Sequence, residues 1–217
     1  MSTPFIRNHH YNYIKKQTDQ LLHAIRTNAD TKILQSVRDS AEAKVTELFP
    51  DASEAHKQML TGFTALETAD EFHRYLQTLE PHLEAFPPIT EKQIQKLFPK
   101  NKKLKVPDLS AMDHRYTTYL SWTDIATNKL FIVYDQNGQF VGVEGRFTPT
   151  HKKSYCFICN RYEELVLFSA VSKKRPAKSS PDYYKAVGNY MCMHSHECNK
   201  NVSDLSALEK FLDAVLN

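Results

Sequence analysis

The most specific chemistry in this chain is carried by its four cysteines, Cys156, Cys159, Cys192 and Cys198; residues 1–155 contain none. Cys156-Phe-Ile-Cys159 is a knuckle that turns two thiols toward one point. A second pair follows after a loop, in Cys192-Met-His-Ser-His-Glu-Cys198. Two close pairs suit one tetrahedral ion, and Zn²⁺ favours sulfur ligands of this kind. A closed four-sulfur shell has no open position for water or substrate, so the ion expected is structural. His194 and His196 lie inside the second pair, and either could replace Cys198; the all-cysteine shell is preferred to three cysteines and one histidine. A redox Cys-x-x-Cys would leave Cys192 and Cys198 unexplained, and nothing points to the oxidising compartment that disulfides need.

Other chemistry is missing from the pattern. None of the five glycines falls in a phosphate-binding loop or a dinucleotide fingerprint. There is no nucleophile elbow and no His-Glu-x-x-His. His194-Ser-His196-Glu197 only loosely resembles a hydrolytic zinc site, and the order and spacing do not match a zinc deaminase. The expectation is a binding module and not an enzyme, with no small-molecule substrate.

The elements that must position these cysteines fall into two groups. Over residues 1–88 the apolar positions recur at helical spacing, giving four amphipathic helices in an antiparallel bundle. The first helix is expected over 8–28. Asp30 caps the second, which Pro50 ends, and Ser53 caps the third. Thr68-Ala-Asp-Glu71 is a capping box opening a fourth that runs to Leu83. Thr90-Glu-Lys-Gln93 is a second capping box, followed by a short helix and the basic connector Lys100-Asn-Lys-Lys-Leu-Lys105.

After residue 110 the pattern turns to strands. Tyr116–Trp122 is β-branched and aromatic, and residues 129–148 read as a hairpin around Asp135-Gln-Asn-Gly138. The knuckle comes next, then a strand over Leu165–Val171, an exposed loop over 172–188, the second cysteine pair, and a helix from Ser203 to Leu216. Knuckle, strands, second pair, helix is the order of a treble-clef zinc finger, which can replace a hydrophobic core in a small domain. The fold expected is therefore α+β: an N-terminal antiparallel helical bundle (1–88), then a mixed α/β domain (89–217) with a treble-clef-like four-cysteine zinc finger.

Charge divides the same way. Residues 1–90 carry 9 Lys and Arg against 12 Asp and Glu, and residues 91–217 carry 19 against 13, a balance of +6. The basic half favours an acidic partner, either nucleic acid or an acidic protein face. Tyr155, Phe157 and Tyr190 flank the metal ligands and could anchor a protein interface or stack on bases. No apolar stretch is long enough to span a bilayer, and Met-Ser-Thr-Pro-Phe-Ile-Arg lacks the look of a signal peptide, so no membrane is involved and the expected location is cytoplasmic.

Several further stretches together resemble the FusB/FusC family of fusidic-acid resistance proteins, the elongation factor G-binding proteins. They are Tyr11-Asn-Tyr-Ile14, Lys102-Lys-Leu-Lys-Val-Pro107, Trp122 with Ala126-Thr-Asn128, and Cys156-x-x-Cys159…Cys192-x5-Cys198-Asn199-Lys200. The similarity runs through nearly the whole chain. It implies a monomer with one structural Zn²⁺ that binds elongation factor G mainly through its C-terminal domain. It also implies that the protein meets the ribosome indirectly, releasing the factor when fusidic acid has stalled it and leaving the drug unmodified. The positions matching the family's contacts are Tyr155, Tyr190 and Phe211. Val187 stands where the family leads one to expect a basic residue, with Lys185 nearby. The alternative is a zinc-finger RNA-binding protein acting on ribosomal RNA.

Overall fold

The computed structural model describes residues 3–27, 30–174, 180 and 183–217. The chain divides into two compact units, Met1–Glu84 and Ala85–Asn217.

The first unit is built from α1 (Asn8–Arg26), α2 (Thr31–Glu47), α3 (Glu54–Thr61) and α4 (Ala69–Leu79), with a 3-10 turn after α3 and another after α4. Local chemistry sets the starts. The Asp30 carboxylate accepts from the Lys32 amide at 2.8 Å, and Ser53 Oγ accepts from the His56 amide. Thr68 and Glu71 form the reciprocal capping box. The first helix stops at Arg26, two residues short of expectation. The fourth stops at Leu79, because Pro81 follows in a 3-10 turn instead of extending it. Ile14, Leu21, Val45, Leu60, Phe63 and Leu79 are wholly buried. The chain's start is stitched to the unit's end: the Phe5 and Ile6 amides both donate to the His82 carbonyl, and the Glu84 amide donates to the Ile6 carbonyl.

The second unit is a five-stranded antiparallel sheet in sequential order: β1 (Leu120–Asp124), β2 (Lys129–Gln136), β3 (Gln139–Tyr155), β4 (Tyr162–Val171) and β5 (Ala186–Met191). The β2–β3 hairpin turns on Asn137 and Gly138, both at positive φ (55° and 83°), which is the turn whose twist matches a two-residue hairpin. Sequence patterning underestimates two strands. β3 runs on to Tyr155 through an irregularity between Pro149 and Lys153, and β4 begins three residues before Leu165. In the loop expected over 172–188, residues 175–179 and 181–182 lie outside the described residues, and its last three residues belong to β5.

Both sheet faces are used. One packs Leu130, Ile132, Val143, Phe147 and Phe168 against Leu208, Phe211, Leu212 and Val215 of α7 (Ser206–Leu216). That helix starts at Ser206, not Ser203, because Asp204 accepts from the Ser206 amide at 2.9 Å and holds the preceding turn. The opposite face is covered over β1, β2 and the start of β3 by α5 (Glu91–Leu97) and its flanks. There Ile94 and Phe98 pack with Leu120, Phe131 and Val133, and the indole of Trp122 stacks on Phe131 at 5.3 Å. Phe86 also belongs to this cluster; it lies before the expected boundary at 88/89, and the second unit begins at Ala85.

Candidate metal centre and aromatic face

The four cysteine sulfurs all lie within 4.8 Å of one another. Cys156 and Cys198 are 3.8 Å apart, and Cys159 and Cys192 are 3.7 Å apart. Tetrahedral Zn–S bonds of about 2.3 Å put neighbouring sulfurs about 3.8 Å apart, so the thiols fit the expected ion. All four residues are more than nine-tenths buried. His194 and His196 are exposed, and neither joins the cluster. His194 instead precedes the short helix α6 (Ser195–Asn199), which carries Cys198, and His196 lies 3.8 Å from the Glu197 carboxylate.

Local backbone geometry forms the knuckle. The Asn160 amide donates to the Cys156 carbonyl at 2.8 Å, with Asn160 in the left-handed region at φ 55°, and the Cys156 amide donates to the Arg161 carbonyl. The Phe157 amide donates to the Tyr190 carbonyl at 2.9 Å, fastening the knuckle to β5 two residues before Cys192. The sulfurs also share protons. Hydrogen bonds from Cys159, Cys192 and Cys198 hold the Cys156 thiol far below the usual thiol range. Cys198 is pushed up, first by its hydrogen bond with Cys156. More than one thiolate in so tight a buried cluster is opposed by like charge, and a divalent cation removes that opposition. Among the described residues the wholly buried Tyr119 hydroxyl has no oxygen or nitrogen partner, and burial, then the neighbouring Cys198 sulfur, hold it protonated. A metal-bound Cys198 thiolate would give it an acceptor.

Two residues in α6 go beyond what spacing revealed. Asn199, 2% exposed, accepts through Oδ1 from the Thr118 and Tyr119 amides (3.1 and 3.3 Å) and donates through Nδ2 to the Tyr119 carbonyl (2.9 Å). Ser195 Oγ accepts from the Ser121 amide at 3.0 Å. Side chains of the ligand-bearing helix thus take the place of a sixth strand along the outer edge of β1. The only sequence signal was Asn199 directly after the last cysteine, and a partner about 80 residues away cannot be read from that.

The residues expected at a partner surface separate into two sets. Tyr155 (63% exposed) and Tyr190 (48%) stand at the surface, and Tyr155 packs on Tyr162 with ring centroids 5.2 Å apart. Lys185 is exposed next to β5, whereas Val187 is half-buried against the core. Phe211 does not reach the surface: it is 3% exposed, wedged between Phe157 (5.3 Å) and Phe168 (5.6 Å). Its position on the apolar stripe of α7 turns it into the core, so it supports the knuckle from beneath. Tyr162, which sequence reasoning missed, is the partner Tyr155 acquires when β3 pairs with β4.

Residues 5–87 match the model of the elongation factor G-binding protein N-terminal region, and residues 96–212 match the FBP C-terminal treble-clef zinc-finger. One solved structure, that of the fusidic acid resistance protein FusC, is 27% identical, covers 97% of each chain and superposes with a TM-score of 0.80. No curated protein matches at a significant level. Family models over both units, and a sulfur cluster where the zinc finger requires one, show that the chain belongs to the FusB/FusC family of elongation factor G-binding proteins.

Proposed function

We propose that this protein binds elongation factor G through the finger end of its second unit and promotes the factor's release from ribosomes stalled by fusidic acid. The observation that carries this reading is the pair of exposed tyrosines, Tyr155 and Tyr190, seated on the metal-binding knuckle of a chain from this family. Cys156, Cys159, Cys192 and Cys198 would hold one Zn²⁺. The ion would supply geometry and no chemistry: it would fix the knuckle to β5 and so set the spacing of the two rings. Lys185 would add positive charge beside them. Binding that favours the factor's released conformation draws its population off the ribosome, so the drug's target is protected and the drug is left unmodified. The protein would act as a monomer in the cytoplasm, where translation occurs.

The test is titration calorimetry of the zinc-loaded protein into purified elongation factor G without ribosomes, followed by translation assays with fusidic acid. A saturable one-to-one isotherm and restored translation are expected. Binding to naked ribosomal RNA with a steep salt dependence, and none to the factor, would replace this reading with the RNA-binding alternative.

A further inference from the structure

The face of the sheet covered by α5 is covered over only half its width. Side chains alternate along a strand, so the face that carries Phe131, Val133 and Phe140 continues through Arg146 and Thr148 of β3. Register carries it on to Leu167 and Ser169 of β4 and to Gly188 and Tyr190 of β5. Over these last strands Thr148, Leu167, Val171, Gly188 and Tyr190 are exposed, whereas Leu165, near the start of β4, is buried. Leu167 is 38% exposed and lies opposite Tyr190 in register, and Val171 is 58% exposed. Three of the nine exposed large hydrophobic side chains described, Leu167, Val171 and Tyr190, lie on this face by register.

Among the described residues this half carries one unpaired positive charge, Arg146. Lys129, opposite Arg146 in register, is neutralised by Glu144 at 3.3 Å, and Asn101 bonds to both. Arg146 is exposed and has no ion pair among the described residues.

We propose that this bare half-face, with Leu167, Val171 and Tyr190 as its apolar floor and Arg146 at its margin, is a second part of the docking surface. Its occupant is a carboxylate-rimmed apolar patch of elongation factor G. This rests on the binding reading above and extends it from the knuckle across β4 to β3. Tyr190 belongs to both parts. Leu167 and Val171 give the floor an aliphatic character that suits a protein patch, and one unpaired arginine is a poor phosphate track.

The experiment is calorimetry with purified elongation factor G, comparing the wild-type protein with Arg146→Glu, Arg146→Lys and Leu167→Asp, and with Ile125→Asp as a control on an exposed residue outside this face. Zinc content and far-UV circular dichroism check folding. Arg146→Glu and Leu167→Asp should each weaken binding about tenfold or more, with Arg146→Lys and Ile125→Asp close to wild type. Because Arg146 is a surface side chain, its variants test the surface even if Leu167→Asp folds poorly. No binding by the wild-type protein sinks the parent reading. Wild-type binding together with undiminished affinity in Arg146→Glu, or in a folded Leu167→Asp, overturns this inference alone.

Discussion

The Phe157 amide donates to the Tyr190 carbonyl across 2.9 Å, and that bond ties the first cysteine pair to the strand leading into the second. It is a backbone bond, so either side chain can change without breaking it. Tyr190→Ala should therefore bind zinc and unfold like the wild type while losing affinity for elongation factor G by about tenfold or more. Phe211→Ala should behave in the opposite sense. It removes a buried ring between Phe157 and Phe168 and should cost about 3–5 kcal/mol of stability, measured by urea unfolding.

Metal removal should disorganise the second unit. Four buried sulfurs within 4.8 Å of one another cannot all be thiolates without a cation. Cys159→Ser or a strong chelator should release zinc, counted by atomic absorption, and abolish near-UV circular dichroism from Tyr119 and its neighbours. A metal-free protein retaining native signals and full affinity would contradict the structural role.

Asn199→Ala should be more damaging than its size implies. It removes the bonds that Asn199 makes to the Thr118 and Tyr119 amides and the Tyr119 carbonyl in a buried site. Each unsatisfied group costs about 1–3 kcal/mol, so a loss of several kcal/mol is expected in urea unfolding. The same variant should weaken zinc retention, because Asn199 holds the helix that carries Cys198.

Gly145→Ala tests the β3–β4 pairing. A Cβ there would lie 2.6 Å from Cε2 of Phe168 and against the Ser169 carbonyl, and backbone cannot step aside. A destabilisation of about 1–3 kcal/mol is expected from thermal melts.

Stability of the first unit should depend on His10. Burial, reinforced by the Arg7 guanidinium, lowers its pKa from 6.5 to about 4. Between those values the unfolded chain holds a proton that the folded chain does not, so stability is full above about 6.5 and falls as pH drops toward 4. The loss should reach about 3 kcal/mol at most. Urea unfolding of wild type and His10→Gln across pH 4–7 should show the slope flattened in the variant.

The sequence by itself determined the features that close within a few residues. Thr68 with Glu71, Thr90 with Gln93, Asp30 with Lys32, and the Asn137-Gly138 turn are local hydrogen bonds and dihedral preferences, and each appears where its residues stand. The cysteine cluster was legible for a related reason: few chemistries other than a shared cation use two such pairs. Tertiary structure decided the rest. Phe211, a contact position only by family resemblance, is here a buried wedge, because which face of α7 meets the sheet depends on packing. Asn199 gained its role by reaching residues 118 and 119, a partnership between residues 81 and 80 positions apart. Leu167 is left bare because α5 covers the sheet only over β1, β2 and the start of β3. Such outcomes depend on which distant surfaces meet, and the short-range pattern of a chain carries no record of that.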